Sequence, residues 1–205
     1  MRDPAIIESA DYLLIESTYG DRIHDQADPE DVLEDIISRT AARGGSIIIP
    51  SFAVGRAQSL MYHIYRLKTA NRIPDIPVFL DSPMAINASD IFCARHNEHR
   101  LSERECIDTC NTASYVRSVD ESKALDTNLM PKIIISASGM ATGGRVLHHL
   151  KTYAPDARNA ILFAGFQAGG TRGASLTGGA TRIKIHGQYF PVRAEVSNLH
   201  MMSAH

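Results

Sequence analysis

Short apolar runs alternate along this chain with segments whose apolar residues recur at helical spacing. Tyr12–Ile15 (YLLI) reads as a buried strand. Pro29–Arg43 reads as a helix with Val32, Leu33, Ile36, Ile37 and Thr40 on one stripe. Asp28 is its N-cap, Pro29 its first residue, and Gly44 and Gly45 its stop. Ser46–Pro50 (SIIIP) is the next strand, followed by a helix from about Arg56 to Lys68 with Leu60, Met61, Ile64 and Leu67 inward. Val78–Leu80, Lys132–Ser136 and Ala160–Ala164 are further strands, and helices are expected over about Ala85–Arg95 and Gly144–Thr152. Residues 97–128 are polar and give short helices and loops. Arg182–His186 and Tyr189–Val196 flank Gly187 and Gln188 as an antiparallel hairpin. Continuous rather than alternating apolar strands, each followed by a helix, predict an α/β fold: a parallel sheet with helices on both faces.

Ligands of open α/β sheets bind beyond the carboxyl ends of the strands. The residues at those ends are Glu16–Asp21 (ESTYGD), Ser51–Arg56 (SFAVGR), Asp81–Met84 (DSPM), Ser136–Arg145 (SASGMATGGR) and Gly165–Gly173 (GFQAGGTRG). Glycines let a backbone approach a ligand, helix N-termini offer N–H groups to anions, and Arg56, Arg145 and Arg172 can fork onto phosphate oxygens. One such loop is ordinary turn chemistry. Five on one edge read as a binding cleft.

With 44% hydrophobic and 21% charged residues in 205, the composition is that of a globular domain rather than a disordered chain. No apolar run reaches the roughly 18–20 residues that span a bilayer, which argues against a membrane protein. The opening MRDPAIIESAD carries acids and a proline where a signal peptide has an apolar core, so a cytoplasmic location is expected. Three cysteines, Cys93, Cys106 and Cys110, are too few for a disulfide scaffold and are expected as reduced thiols, Cys106 and Cys110 both buried. The net charge of −2 hides an asymmetry. Residues 1–131 carry 13 basic and 21 acidic side chains, whereas residues 132–205 carry 8 and 2, a basic third suited to a polyanion.

The chain lacks G-x-G-x-x-G after a strand, a phosphate-loop motif and a G-x-S-x-G elbow, which argues against dinucleotide, P-loop and α/β-hydrolase chemistry. Its nine histidines include no H-E-x-x-H and no H-x-H-x-D-H. His148 and His149 point about 100° apart on a helix and read as surface residues. His200 and His205 are awkwardly spaced for one metal, and His63, His96 and His99 read as structural or surface groups. No metal ligand is expected in this chain.

Taken together, the strand-end segments and the terminal Ser203–His205 (SAH) resemble, along the whole chain, the β-CASP nucleases of the metallo-β-lactamase superfamily. That group includes the endonuclease subunit of the eukaryotic pre-mRNA 3′-end cleavage factor and bacterial and archaeal RNA-processing relatives. The resemblance implies a Rossmann-like domain inserted into a metallo-β-lactamase domain, with RNA cleaved between them. It matches the motif A acid to Glu16 and the motif B histidine to His205. The H-x-H-x-D-H segment and the motif C histidine are not in the chain, so the resemblance implies a fragment, inactive alone, of a zinc-dependent ribonuclease. Two zinc ions are expected in the parent and no cofactor in this chain. Residues 1–27 and 180–205 would be metallo-β-lactamase segments and 28–179 the β-CASP domain. The missing lactamase remainder would be a partner, and the hairpin would expose apolar surface open to homo-oligomerisation. Glu16 would orient His205, which would hold the scissile phosphate or protonate the leaving oxygen. Ser51, Arg56, Asp81, Ser82, Ser138, Gly139, Gly143, Arg145, Gln167, Thr171 and Arg172 would line the RNA cleft. The alternative is a self-sufficient, metal-free nucleotide- or RNA-binding module using the same cleft. A small-molecule enzyme on this sheet is disfavoured by the missing dinucleotide fingerprint.

Overall fold

A computed structural model describes residues 5–21, 23 and 26–202. Asp28 caps the first helix, α1 (Pro29–Ala42), accepting the Glu30 N–H at 2.8 Å, and proline occupies the first turn. The chain then runs β1 (Ile47–Pro50), α2 (Arg56–Thr69), β2 (Val78–Asp81), α3 (Pro83–Ala94), α4 (Glu103–Asn111), β3 (Ser114–Tyr115) and α5 (Val119–Thr127). It continues through β4 (Ile133–Ser136), α6 (Val146–Tyr153), β5 (Ala160–Ala164), α7 (Arg172–Thr177), β6 (Arg182–Ile185), β7 (Gln188–Pro191) and β8 (Glu195–Leu199). The polar stretch after residue 97 resolves into α4 and α5, each opened by a reciprocal capping box, Ser102 with Glu105 and Ser118 with Glu121.

Six strands form one parallel sheet in the order β3-β2-β4-β1-β5-β8. The twofold alternation of strand side chains divides the core. Ile47, Ile49, Leu80, Ile133, Ile135 and Leu162 pack with α1, α2 and α3 on one face. Ile48, Ile134, Ile161 and Phe163 pack with α6, α7 and Leu125 of α5 on the other. The neighbours β1 and β4 feed helices on opposite faces, α2 on one and α6 on the other, so their loops part at the carboxyl ends. This is the topological switch point at which such sheets bind ligands. No described helix is long and apolar enough to cross a membrane.

Three expectations are corrected. Tyr12–Ile15 is exposed and forms no strand, because no described segment offers its backbone a hydrogen-bonding neighbour. The second hairpin arm ends at Pro191; Glu195–Leu199 leaves it and pairs in parallel with β5, Ile161 opposite Val196. Within the hairpin Ile183 and Ile185 are buried in the α6–α7 cluster, whereas Tyr189 remains exposed, as expected of this element. Cys93 on α3 and Cys110 on α4 are bridged, with Cα atoms 6.8 Å apart, leaving Cys106 as the buried free thiol.

Gly45 is required by packing: a Cβ there would overlap the Arg158 carbonyl. Gly45→Ala is expected to cost about 1–3 kcal/mol in urea unfolding, and an unchanged midpoint would show that the Arg158 turn yields freely.

Candidate functional site

The parallel strands bring the predicted loops to one edge, and specific contacts close them on one another. A Cβ at Gly139, after β4, would lie 2.8 Å from the Phe52 backbone nitrogen after β1. Gln167, after β5, donates through Nε2 to the Gly139 carbonyl at 3.2 Å. The Tyr19 hydroxyl accepts the Phe166 N–H at 3.2 Å, which brings the Glu16–Asp21 turn to the same mouth. Glu16 is exposed there, and its Oε1 accepts the Thr18 N–H at 2.7 Å. His205 lies outside the described residues.

Arg56, the first residue of α2, is only 2% exposed. Its Nε and Nη1 have no hydrogen-bond partner. Burial pushes the guanidinium down from its usual range, partly offset by the neighbouring Tyr19 hydroxyl. The Phe52 ring centroid is 5.9 Å away. Gly165 (φ 90°) passes so close that a Cβ there would overlap Nη1. A buried cation with unmet donors is costly, and an anion at the mouth would relieve that cost.

The other cleft residues are held by the protein itself. Arg145 donates through Nη1 to Asp81 Oδ1 at 2.6 Å and to the Val116 carbonyl at 3.1 Å. Arg172 donates to the carbonyls of Lys184, Ala141 and Thr142. Thr171 and Ser82 cap α7 and α3 through the N–H groups of Ala174 and Ala85. Ser138 Oγ accepts the N–H groups of Thr142 and Gly143. Ser51 is buried, and its hydroxyl donates to the Phe52 carbonyl at 3.1 Å. These side chains shape the loops, leaving open Gly143 and the exposed rings of Phe52 and Phe166 at the rim.

Asp81 is not at the surface. It is fully buried and accepts from Ser122, Arg145 and His149, whose Nε2 stands 2.7 Å away. His149 Nδ1 lies 2.6 Å from Asp126 on α5. Burial alone would raise the Asp81 carboxyl, but hydrogen bonds from His149, Ser122 and Arg145 hold it below its ordinary range. Burial would likewise lower His149, yet Asp126 and Asp81 raise it above the ordinary imidazole value. His148 is exposed as expected, but its neighbour is a core residue, correcting the surface reading. The signal was available: His149 falls on the stripe Val146, Leu150, Tyr153. Ser122 and Asp126 gave no sequence signal. Among the described residues, no three His, Cys, Asp or Glu side chains gather to hold a metal ion.

A parallel α/β sheet whose strand-end loops meet over a buried arginine defines a Rossmann-like domain with its ligand mouth at the switch point. The chain belongs to the β-CASP family: the family description "Beta-Casp domain" matches residues 57–176. It is 36% identical to Ribonuclease TTHA0252 of Thermus thermophilus, covering 99% of this chain and 48% of that protein. It is 34% identical to an RNase J-like protein of Methanocaldococcus jannaschii, covering 97% and 47%. Transcription termination factor FttA of Methanosarcina mazei is 33% identical over 91% of this chain and 31% of its own length. The chain spans about half the length of the first two relatives.

Proposed function

We propose that this chain supplies the RNA-binding wall of a ribonuclease, a hydrolase of RNA phosphodiester bonds. The carrying observation is Arg56, a buried guanidinium with unmet donors where three strand-end loops converge. A phosphate at the mouth would meet this charge and the approachable backbone around Gly143, while bases rest on the exposed rings of Phe52 and Phe166. Ribonuclease relatives support RNA as the polyanion. In this reading Glu16 orients the imidazole of His205, which holds the scissile phosphate or protonates the leaving oxygen. The segment 1–27, outside the family match, would belong with a metallo-β-lactamase domain, and the residues after β8 would lead back to it, β8 itself pairing with β5 in the parallel sheet. The described residues do not fit the two zinc ions implied for such a ribonuclease, so no step here runs through them.

The test uses a labelled single-stranded RNA and the protein at the length of its ribonuclease relatives. Glu16→Gln is expected to lower turnover about 10²-fold or more, with affinity for uncleaved RNA within about twofold of wild type. Equal loss of both would make Glu16 a binding residue. RNA binding without any wild-type turnover would instead favour the metal-free binding module.

A further inference from the structure

The β6–β7 hairpin presents its outer face as a basic and aromatic strip. Arg182 and Lys184 are exposed while Ile183 and Ile185 point into the core, and Lys184 stands opposite Tyr189 in the register. Tyr189 is 60% exposed. The Arg182 guanidinium lies 4.8 Å from its ring centroid and Lys184 Nζ 5.7 Å. Phe190, opposite Ile183, faces inward instead, with Lys151 Nζ of α6 5.9 Å from its ring. Among the described residues no carboxylate pairs with Lys151, Arg182, Lys184 or Arg193. The two acids of this third of the chain are engaged elsewhere, Asp156 with Arg158 and Glu195 with Arg39 and Arg43.

The strip also adjoins the mouth. Arg172 Nε donates to the Lys184 carbonyl at 2.6 Å, while Nη1 of the same side chain donates to Ala141 and Thr142 in the loop after β4. One guanidinium thus ties the hairpin to the cleft rim.

We infer that the outer face of the hairpin is a second nucleic-acid contact, carrying the single-stranded RNA that extends beyond the strand-end mouth. An exposed aromatic ring offers a stacking surface to any base, and flanking cations meet the phosphates on either side. The inference rests on the proposed RNA function of the mouth. It adds a separate site, with Tyr189 as the stacking platform and Arg182 and Lys184 as the phosphate contacts.

The experiment measures binding of the protein to uncleaved RNA of about four nucleotides, enough for the mouth, and about twelve, enough to reach the hairpin. Tyr189→Ala is expected to weaken the longer RNA about tenfold and leave the shorter one unchanged, and Tyr189→Phe should retain the wild-type affinities. Arg182→Gln with Lys184→Gln should lower the salt slope of log Kd for the longer RNA by about 1.4. Equal affinity of wild type for both lengths, with neutral hairpin variants, overturns the hairpin site alone. Failure of wild type to bind either RNA overturns the mouth reading with it. If the hairpin changes dissociate a self-associated protein without altering affinity for the longer RNA, the strip serves a protein contact and the inference is wrong.

Discussion

His149→Ala is expected to cost on the order of 3 kcal/mol of folding stability, the largest stability effect of any substitution in the cleft wall. The imidazole is fully buried and bridges Asp81 on β2 to Asp126 on α5. Its removal leaves a buried carboxylate at Asp81 with only Arg145 and Ser122, and it takes from Asp126 the imidazole that bridges the helix pair. Asp81 also anchors Arg145, whose other bonds fix the backbone of Val116 and Arg117, so loss of the imidazole should loosen the rim as well.

The same network sets the pH dependence. His149 is raised in the folded state, so its contribution is complete below the ordinary value of 6.5 and is lost as pH rises through the folded value. Asp81 is lowered, so its contribution is complete above the ordinary value of 3.8 and is lost as pH falls through the folded value. Stability from this pair should therefore be greatest between those two ordinary values. His149→Gln, which cannot titrate, should flatten the alkaline side of a plot of urea midpoint against pH. A loss below about 0.5 kcal/mol for His149→Ala, ordinary for a surface change, would show that the buried bridge contributes little.

Arg56→Met is expected to separate binding from stability. A methionine retains much of the apolar stem and removes a buried cation with two unmet nitrogens. Folding stability should hold or rise by about 1 kcal/mol, as when other buried charges are replaced by apolar groups. RNA affinity should fall about 10- to 100-fold, the worth of a hydrogen bond to a charged group, and the salt slope should drop by about 0.7. Thermal melts and fluorescence anisotropy on the same preparation read both. A large loss of stability with unchanged RNA affinity would identify Arg56 as a strut beneath Gly165 instead.

Much of the fold could be read from local pattern because its causes are local. Asp28-Pro29 caps and starts α1, the triple isoleucines mark β1 and β4, and the glycine-bearing loops fall at the strand ends because each strand feeds a helix. What escaped depends on neighbours distant in sequence. Tyr12–Ile15 has strand composition, but a strand exists only beside another. Glu195–Leu199 looks like a hairpin arm until β5 supplies a parallel edge. The Cys93–Cys110 bridge joins separate helices, and the Asp81–His149–Asp126 bridge joins three elements. At the cleft, sequence identified the residues better than their tasks. Arg145, Arg172 and Thr171 have the chemistry to face phosphate, whereas each is bonded to the loops it shapes, and no local pattern marks the exposed rings of Phe52 and Phe166.

In the proposed function RNA enters at the carboxyl ends of the parallel strands. Photocrosslinking with a 4-thiouridine tetranucleotide, too short to reach the hairpin, followed by peptide mapping, locates that entry. Crosslinks are expected in residues 51–55, 137–145 and 165–171, with yield falling in Arg56→Met. Crosslinks confined to the opposite sheet edge, in the turns at 70–77, 128–132 and 154–159, would contradict it.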